Sequence, residues 1–214
     1  MRAWEYLRGI APVSLCDWPQ RVCSVLFFGG CNLRCPTCHN QSIAWHPQTV
    51  PTPSARATLE DLVQRAKWLD GIVLTGGEAL LVPGLDEVIR DLRPLGLPIK
   101  VDSNGMRPDL IRAFFDKGLV DCFAVDVKGP WAKYPELTGE RASADHAREG
   151  LEEIFAMAVP SPESFYFRCT RVPCLTDEDI ETTRSYLPSG FALTVQKYIE
   201  PPREDPTLLA GDDR

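Results

Sequence analysis

Val22-Cys23-Ser24-Val25-Leu26-Phe27-Phe28-Gly29-Gly30-Cys31-Asn32-Leu33-Arg34-Cys35-Pro36-Thr37-Cys38-His39-Asn40, residues 22–40, carries an apolar run, two glycines and three cysteines in that order. An apolar and aromatic run closed by glycines predicts a buried β-strand over 22–28. Similar short runs predict strands over 71–75, 97–102, 122–127, 165–170 and 191–198. Between them, amphipathic stretches predict helices. The first spans 58–69, with Thr58 as its cap and Leu59, Leu62, Val63, Ala66 and Leu69 on one face. Others follow over 85–92, 109–117, 144–158 and 177–186, the last capped near Thr176. Six strands alternating with five helices indicate an α/β fold with a parallel sheet. Such sheets place their chemistry at the carboxyl ends of the strands, which is where the cysteines of 22–40 fall.

The 214 residues suffice for one domain, expected over 1–200 with a core from about 20 to 200. Residues 201–214, with three prolines and little apolar content, read as a frayed, disordered tail. Thirty acidic residues against 23 basic ones give a net charge of -7, which disfavours non-specific nucleic-acid or membrane-surface binding. No apolar run approaches the roughly 20 residues of a membrane span. Arg2, Glu5 and Arg8 interrupt any early apolar stretch, so no signal peptide is expected and the cytoplasm is the expected location. In that reducing setting, eight cysteines point to metal or redox chemistry more than to disulfides.

Cys31, Cys35 and Cys38 are spaced three and then two residues apart, so one tight loop can turn all three thiolates inward. Gly29 and Gly30 remove the steric bar to that turn, and Pro36 stiffens it. Three thiolates can hold three corners of a 4Fe-4S cluster and leave the fourth iron open to bind substrate. The rival is a closed structural zinc site with His39 as fourth ligand, although adjacent Cys38 and His39 are poorly placed to ligate one ion. An unmetallated thiol loop is the third possibility. Cys16, Cys23, Cys122, Cys169 and Cys174 have no recognised cluster spacing and are expected to be small buried apolar residues.

Further strand ends carry polar groups. Thr75-Gly76-Gly77-Glu78 pairs a glycine turn with a carboxylate able to meet an ammonium group; alone, it would be an ordinary turn with a solvated Glu. Asp102-Ser103-Asn104-Gly105 offers acceptors and donors suited to a ribose or a carboxylate, against the plain alternative of an Asn-Gly turn. In Asp126-Val127-Lys128, period two puts Asp126 and Lys128 on one side, as a site pair or a surface salt bridge. Arg168 can reach an anionic group at the centre or pair with Asp126 or Glu78, and Gln196 is similarly but more weakly placed. His39 can contact a cofactor beside the cysteines or, as the plainer expectation, make a structural hydrogen bond, with His46 in a loop and His146 on a helix surface.

Cys31-x3-Cys35-x2-Cys38 after a first strand resembles the signature of radical S-adenosylmethionine enzymes. The string Gly29 to Asn40, preceded by Asp17-Trp18-Pro19, is similar to the activating proteins of glycyl-radical enzymes, in particular those of anaerobic ribonucleotide reductase. The likeness spans about residues 9 to 199. It implies a partial (β/α)6 barrel of parallel strands and a 4Fe-4S cluster on Cys31, Cys35 and Cys38. The cluster's open iron would take the amino and carboxylate groups of S-adenosylmethionine and cleave it reductively to a 5'-deoxyadenosyl radical. The resemblance further implies cofactor contacts from Gly76, Gly77, Glu78, Asp102, Ser103, Asn104, Asp126, Lys128 and Arg168, with no side-chain acid or base. Its implied partners are a glycyl-radical enzyme as protein substrate and a reduced flavodoxin or ferredoxin type electron donor.

Three positions depart from the family pattern. Ala79 stands where Pro is usual, Thr37 where an aromatic residue helps seat the adenine, and Gln20 where Gly is usual. Within the same class, a deazapurine carboxylate synthase is the rival, although its cluster loop usually ends Cys-Asp-Thr where this chain has Cys38-His39-Asn40. A non-catalytic zinc or iron-sulfur module is the rival from another class. Glu78, Asp102, Asp126 and Lys128 at successive strand ends argue against it, because a structural metal needs none of them.

Overall fold

Each apolar run read as a strand forms one in the computed structural model, which describes residues 2–200. The tail expected over 201–214 lies outside the described residues. The chain opens with a 3-10 turn, Arg2–Tyr6, and a strand that the apolar pattern does not reveal, β1 (Leu7–Ser14). β1 pairs antiparallel with β2 (Cys23–Phe28), so the sheet has seven strands rather than six. Arg8, Gly9 and Pro12 break any alternation in β1, and a proline is tolerated there because the strand lies at the sheet edge.

From β2 onward the alternation is as expected. Helices α1 (Gln41–Trp45) and α2 (Ala55–Arg65) lead to β3 (Gly71–Gly76), and α3 (Leu85–Leu92) leads to β4 (Ile99–Ser103). Then come α4 (Pro108–Asp116), β5 (Cys122–Asp126), α5 (Tyr134–Thr138), α6 (Ala144–Ala158), β6 (Phe165–Arg171), α7 (Asp177–Ser185) and β7 (Leu193–Lys197). β2 to β7 are parallel and neighbours in chain order. The sheet is not closed. Its ends nonetheless approach each other, since the ring of His39, after β2, meets Tyr198, after β7, edge-on at 5.7 Å. The architecture is a partial barrel.

Two boundaries move for local reasons. Ser54, not Thr58, caps α2: its hydroxyl accepts the Ala57 N–H, while the buried Thr58 hydroxyl donates to the Ser54 carbonyl. The helix stops at Arg65 and tightens into a 3-10 turn over Ala66–Trp68. Thr176 caps α7 as expected, completing a capping box with Asp179. Gln20, where glycine is usual in related sequences, has φ of 63°, a left-handed conformation that glycine adopts without penalty.

Period two divides the strands into two faces. Leu26, Phe28, Ile72, Leu74, Val101, Phe123, Val125 and Phe167 point outward into the main core beneath the helices. Cys23, Val25, Val73 and Cys122 point inward and pack with Trp18 in a smaller core. Trp18 lies against Gly71, where a Cβ would come within 2.6 Å of its ring, and so plugs the barrel at the amino end. Leu26, with no exposure, should be costly to truncate: Leu26→Ala is expected to lose about 2–5 kcal/mol in chemical denaturation. Val195→Ala, on the exposed edge strand, should lose less than about 1 kcal/mol. Equal losses would contradict this placement of the core.

Candidate functional site

The inward face changes character toward the carboxyl ends, where one cavity of ≈ 270 Å³ opens. Cys31, Cys35 and Cys38 all line it, on the loop after β2. That loop is held from several sides. Arg34 donates its N–H to the Thr138 carbonyl at 3.0 Å, and its guanidinium donates to the carbonyls of Cys31 and Leu33 at 2.8 Å each. The Cys38 N–H donates to the Cys35 carbonyl at 3.0 Å, closing the turn between the last two cysteines. The Asn40 amide reaches across to the Gly76 carbonyl at 2.8 Å. Burial pushes the Cys31 thiol up to about 11 and raises that of Cys38.

The loop after β3 lies backbone to backbone against the cysteine loop. Gly77 N–H donates to the Phe28 carbonyl and Glu78 N–H to the Gly30 carbonyl, both at 2.8 Å. Gly76 and Gly77 line the cavity, while Glu78 stands behind its wall with 1% exposure. One Glu78 oxygen, Oε2, accepts the Asn104 N–H at 2.7 Å, and Oε1 is buried without a partner. Burial lifts this carboxyl to about 7, against the pull of the Asn104 N–H. Ala79, in place of the usual Pro, is fully buried at the start of a 3-10 turn, Ala79–Leu81.

Asp102, Ser103 and Asn104 leave β4 into the same cavity. The Asn104 side-chain amide donates to the Asn32 side-chain carbonyl at 2.8 Å and approaches the Cys31 sulfur at 3.8 Å, tying this loop to the cysteine loop. Ser103 Oγ accepts the Gly105 N–H at 3.2 Å. Asp126 and Lys128 face the cavity together, with Lys128 Nζ 3.3 Å from Asp126. Arg168 bridges Asp126 at 2.6 Å and Asp102 at 3.2 Å, and the alternative pairing with Glu78 does not occur. Burial alone would raise the Asp126 carboxyl, but the Arg168 and Lys128 charges overcome it and hold the acid at about 2. Asp126 in turn holds the Lys128 ammonium well above its ordinary range, against burial.

Every expected site residue except Glu78 and the more weakly placed Gln196 therefore lines one cavity, with Thr37 and His39 beside them. Gln196 does not: it is exposed on β7, and its nearest polar neighbour is the Thr170 hydroxyl at 3.4 Å. Cys23, Cys122 and Cys169 are buried as expected, but Cys16 and Cys174 are exposed, which corrects the expectation of five buried thiols. Residues not foreseen are Tyr134, whose hydroxyl accepts the Lys128 N–H at 3.0 Å, and Lys100, fully buried below Asp102. Alternation along β4 was the available signal for Lys100, since it shares an inward face with Asp102. Among the described residues, no three His, Cys, Asp or Glu side chains are grouped closely enough to surround a single metal ion, and no helix is long and apolar enough to cross a membrane.

Residues 25–187 match the Radical SAM superfamily model. The chain is 32% identical over 178 residues to a candidate glycyl-radical enzyme activating enzyme of Methanocaldococcus jannaschii, covering 81% of this chain and 71% of that one. It is 27% identical over 179 residues to the pyruvate formate-lyase-activating enzyme of Clostridium pasteurianum, covering 80% and 70%. A 7-carboxy-7-deazaguanine synthase of Hyperthermus butylicus is 28% identical over 151 residues, covering 61% and 62%. Among solved structures, coproporphyrinogen III oxidase from Escherichia coli superposes with a TM-score of 0.54 at 16% identity, covering 91% of this chain and 47% of that one. The partial barrel, the cysteine spacing and the span of the family match lead to one conclusion: the chain belongs to the radical S-adenosylmethionine superfamily.

Proposed function

We propose that this enzyme holds a 4Fe-4S cluster on Cys31, Cys35 and Cys38, binds S-adenosylmethionine beside it, and generates a glycyl radical on a partner enzyme of the anaerobic ribonucleotide reductase type. The observation that carries the reading is that three thiols, a glycine-built gap and four charged side chains all face one small cavity. Its ≈ 270 Å³ lies just below the roughly 300–1,000 Å³ of common ligand pockets, which leaves little room for a small-molecule substrate beside the cluster and S-adenosylmethionine and favours a reactant presented from outside. A polypeptide docking over the open strand ends meets that requirement. The likeness to two activating enzymes over 70–71% of their lengths supports the same choice. The match to a deazaguanine synthase supports a small-molecule substrate instead, but His39-Asn40 after the third cysteine departs from that group's usual loop.

The residues fit the cofactors on chemical grounds. Three thiols on one loop, all lining the cavity, can hold three corners of a cluster and leave the fourth iron facing the remaining lining residues. Glu78 Oε1, a buried acceptor behind the Gly76–Gly77 wall, would accept from the amino group of S-adenosylmethionine. Lys128 and Arg168 supply positive charge for its carboxylate, while Asp102, Ser103, Asn104 and the anionic Asp126 supply polar contacts for the ribose. Gly76 and Gly77 keep that side of the cavity free of side chains. A cluster held by Cys31, Cys35 and Cys38 would supply one-electron reduction of the sulfonium of S-adenosylmethionine. The protein's share is to hold and orient the reactants, which requires no acid or base side chain. A reduced flavodoxin or ferredoxin in the cytoplasm would be the electron source.

Two outcomes are expected. Mixed anaerobically with the partner reductase, reductant and S-adenosylmethionine, the reconstituted protein should produce a glycyl-radical EPR doublet, and Cys35→Ala should produce none. A doublet of equal size from Cys35→Ala would overturn the assignment. In the cofactor-free protein, Glu78 has a folded-state pKa of about 7, raised from 4.5 by burial. Its neutral form is favoured on folding, so its contribution is fully present below about 4.5 and is lost as pH rises through about 7. Wild type should therefore lose up to roughly 3 kcal/mol relative to Glu78→Gln between those pH values. A difference that stays flat in denaturation curves across this window would contradict the burial argument.

A further inference from the structure

The charged groups of the cavity continue below its floor. Lys100 has no exposed surface and does not line the cavity, yet its ammonium donates to the Asp102 carboxylate and, at 3.0 Å, to the Tyr166 hydroxyl. Asp102 accepts from Lys100 on Oδ1 and from Arg168 on Oδ2, Arg168 pairs with Asp126, and Asp126 with Lys128. Five side chains thus alternate in sign from the barrel interior to its mouth. Strand register explains how they meet. Asp102 lies opposite Ala124 on β5, and Ala124 opposite Tyr166 on β6, so a single methyl separates groups from β4 and β6. Across that gap Arg168 reaches Asp102, and Lys100 reaches Tyr166.

A buried ion pair is a weak source of stability, because apolar residues of the same volume commonly do as well or better. A lysine is almost never fully buried unless it is paired. Here the buried charge is aimed at a cavity-lining carboxylate. Resting on the cofactor reading above, we propose that Lys100 is a positioning residue: it anchors Asp102 from below, so that Asp102 and Arg168 present fixed polar groups to S-adenosylmethionine. Lys100 itself touches no cofactor, and it acts through Asp102 alone. The three cations Lys100, Arg168 and Lys128 also outnumber the two carboxylates Asp102 and Asp126, which leaves the network able to accept one more negative group.

The test compares anaerobically reconstituted wild type with Lys100→Met, measuring iron per chain, the unfolding midpoint, and the Kd of labelled S-adenosylmethionine by equilibrium dialysis without reductant. Lys100→Met should keep its iron and bind S-adenosylmethionine about 10- to 100-fold more weakly, as is usual when an outer support of a site is removed, with a lower unfolding midpoint because one Asp102 oxygen loses its buried partner. A lower midpoint with wild-type Kd would show a structural role only and overturn the proposal. Tyr166→Phe, which keeps the charge but removes one anchor, should weaken binding about threefold. It decides the matter if Lys100→Met does not fold, and wild-type affinity in Tyr166→Phe would then overturn the proposal. Failure of the wild type to bind S-adenosylmethionine would sink the cofactor reading together with this inference, whereas equal binding by wild type and Lys100→Met would sink this inference alone.

Discussion

Two backbones lie against each other at the carboxyl ends of β2 and β3, closer than any side chain would permit. A Cβ on Gly77 would stand 2.1 Å from the Gly30 carbonyl oxygen, and one on Gly76 would stand 2.2 Å from that of Phe28. Gly76 also has φ of 123°, which L side chains rarely adopt. The contact is sealed by hydrogen bonds from Gly77 and Glu78 to Phe28 and Gly30. It fixes the cysteine loop to the body of the sheet, sets Glu78 into the interior, and brings Asn104 close enough to join both loops. A cavity wall assembled this way is made of rigid backbone, which suits a site that must hold a reactive species in one orientation.

The remaining wall is electrostatic. Inward-facing positions near the amino ends are small or apolar apart from Lys100, with Cys23, Val25, Val73 and Cys122 around Trp18, and those near the carboxyl ends are ionised. Asp102, Asp126, Lys128 and Arg168 each have at least one partner of opposite sign, so none is an unpaired buried charge. Glu78 is the exception, with one orphan oxygen and a carboxyl shifted by burial. A buried polar atom left unsatisfied in an otherwise paired interior is rare in folded proteins.

Much of this was legible from residues 22–40 and the strand ends beyond. β2 to β5 could be read because each is a short apolar run, buried on both faces over most of its length and bounded by turn residues, and β6 because Phe165, Phe167 and Cys169 alternate with less buried residues. β1 could not, since Arg8, Gly9 and Pro12 remove its alternation and only pairing with β2 makes it a strand. The apolar pattern begins only at Thr58 and Leu59, so it hides the cap of α2 at Ser54, which offers the same chemistry four residues earlier. The partners of Arg168 depend on Ala124 leaving a gap across β5, a feature of register that no local motif reports. Lys100 was missed for a related reason: a charge inside an apolar run acquires meaning only once the inside of the barrel is known.

The central claim is that Cys31, Cys35 and Cys38 together hold one open-iron cluster that acts on S-adenosylmethionine. The most direct measurement is metal content after anaerobic reconstitution, followed by chromatography of the products after reduction in the presence of S-adenosylmethionine. About four irons per chain and the appearance of 5'-deoxyadenosine are predicted. Stoichiometric zinc, with S-adenosylmethionine recovered intact, would contradict it.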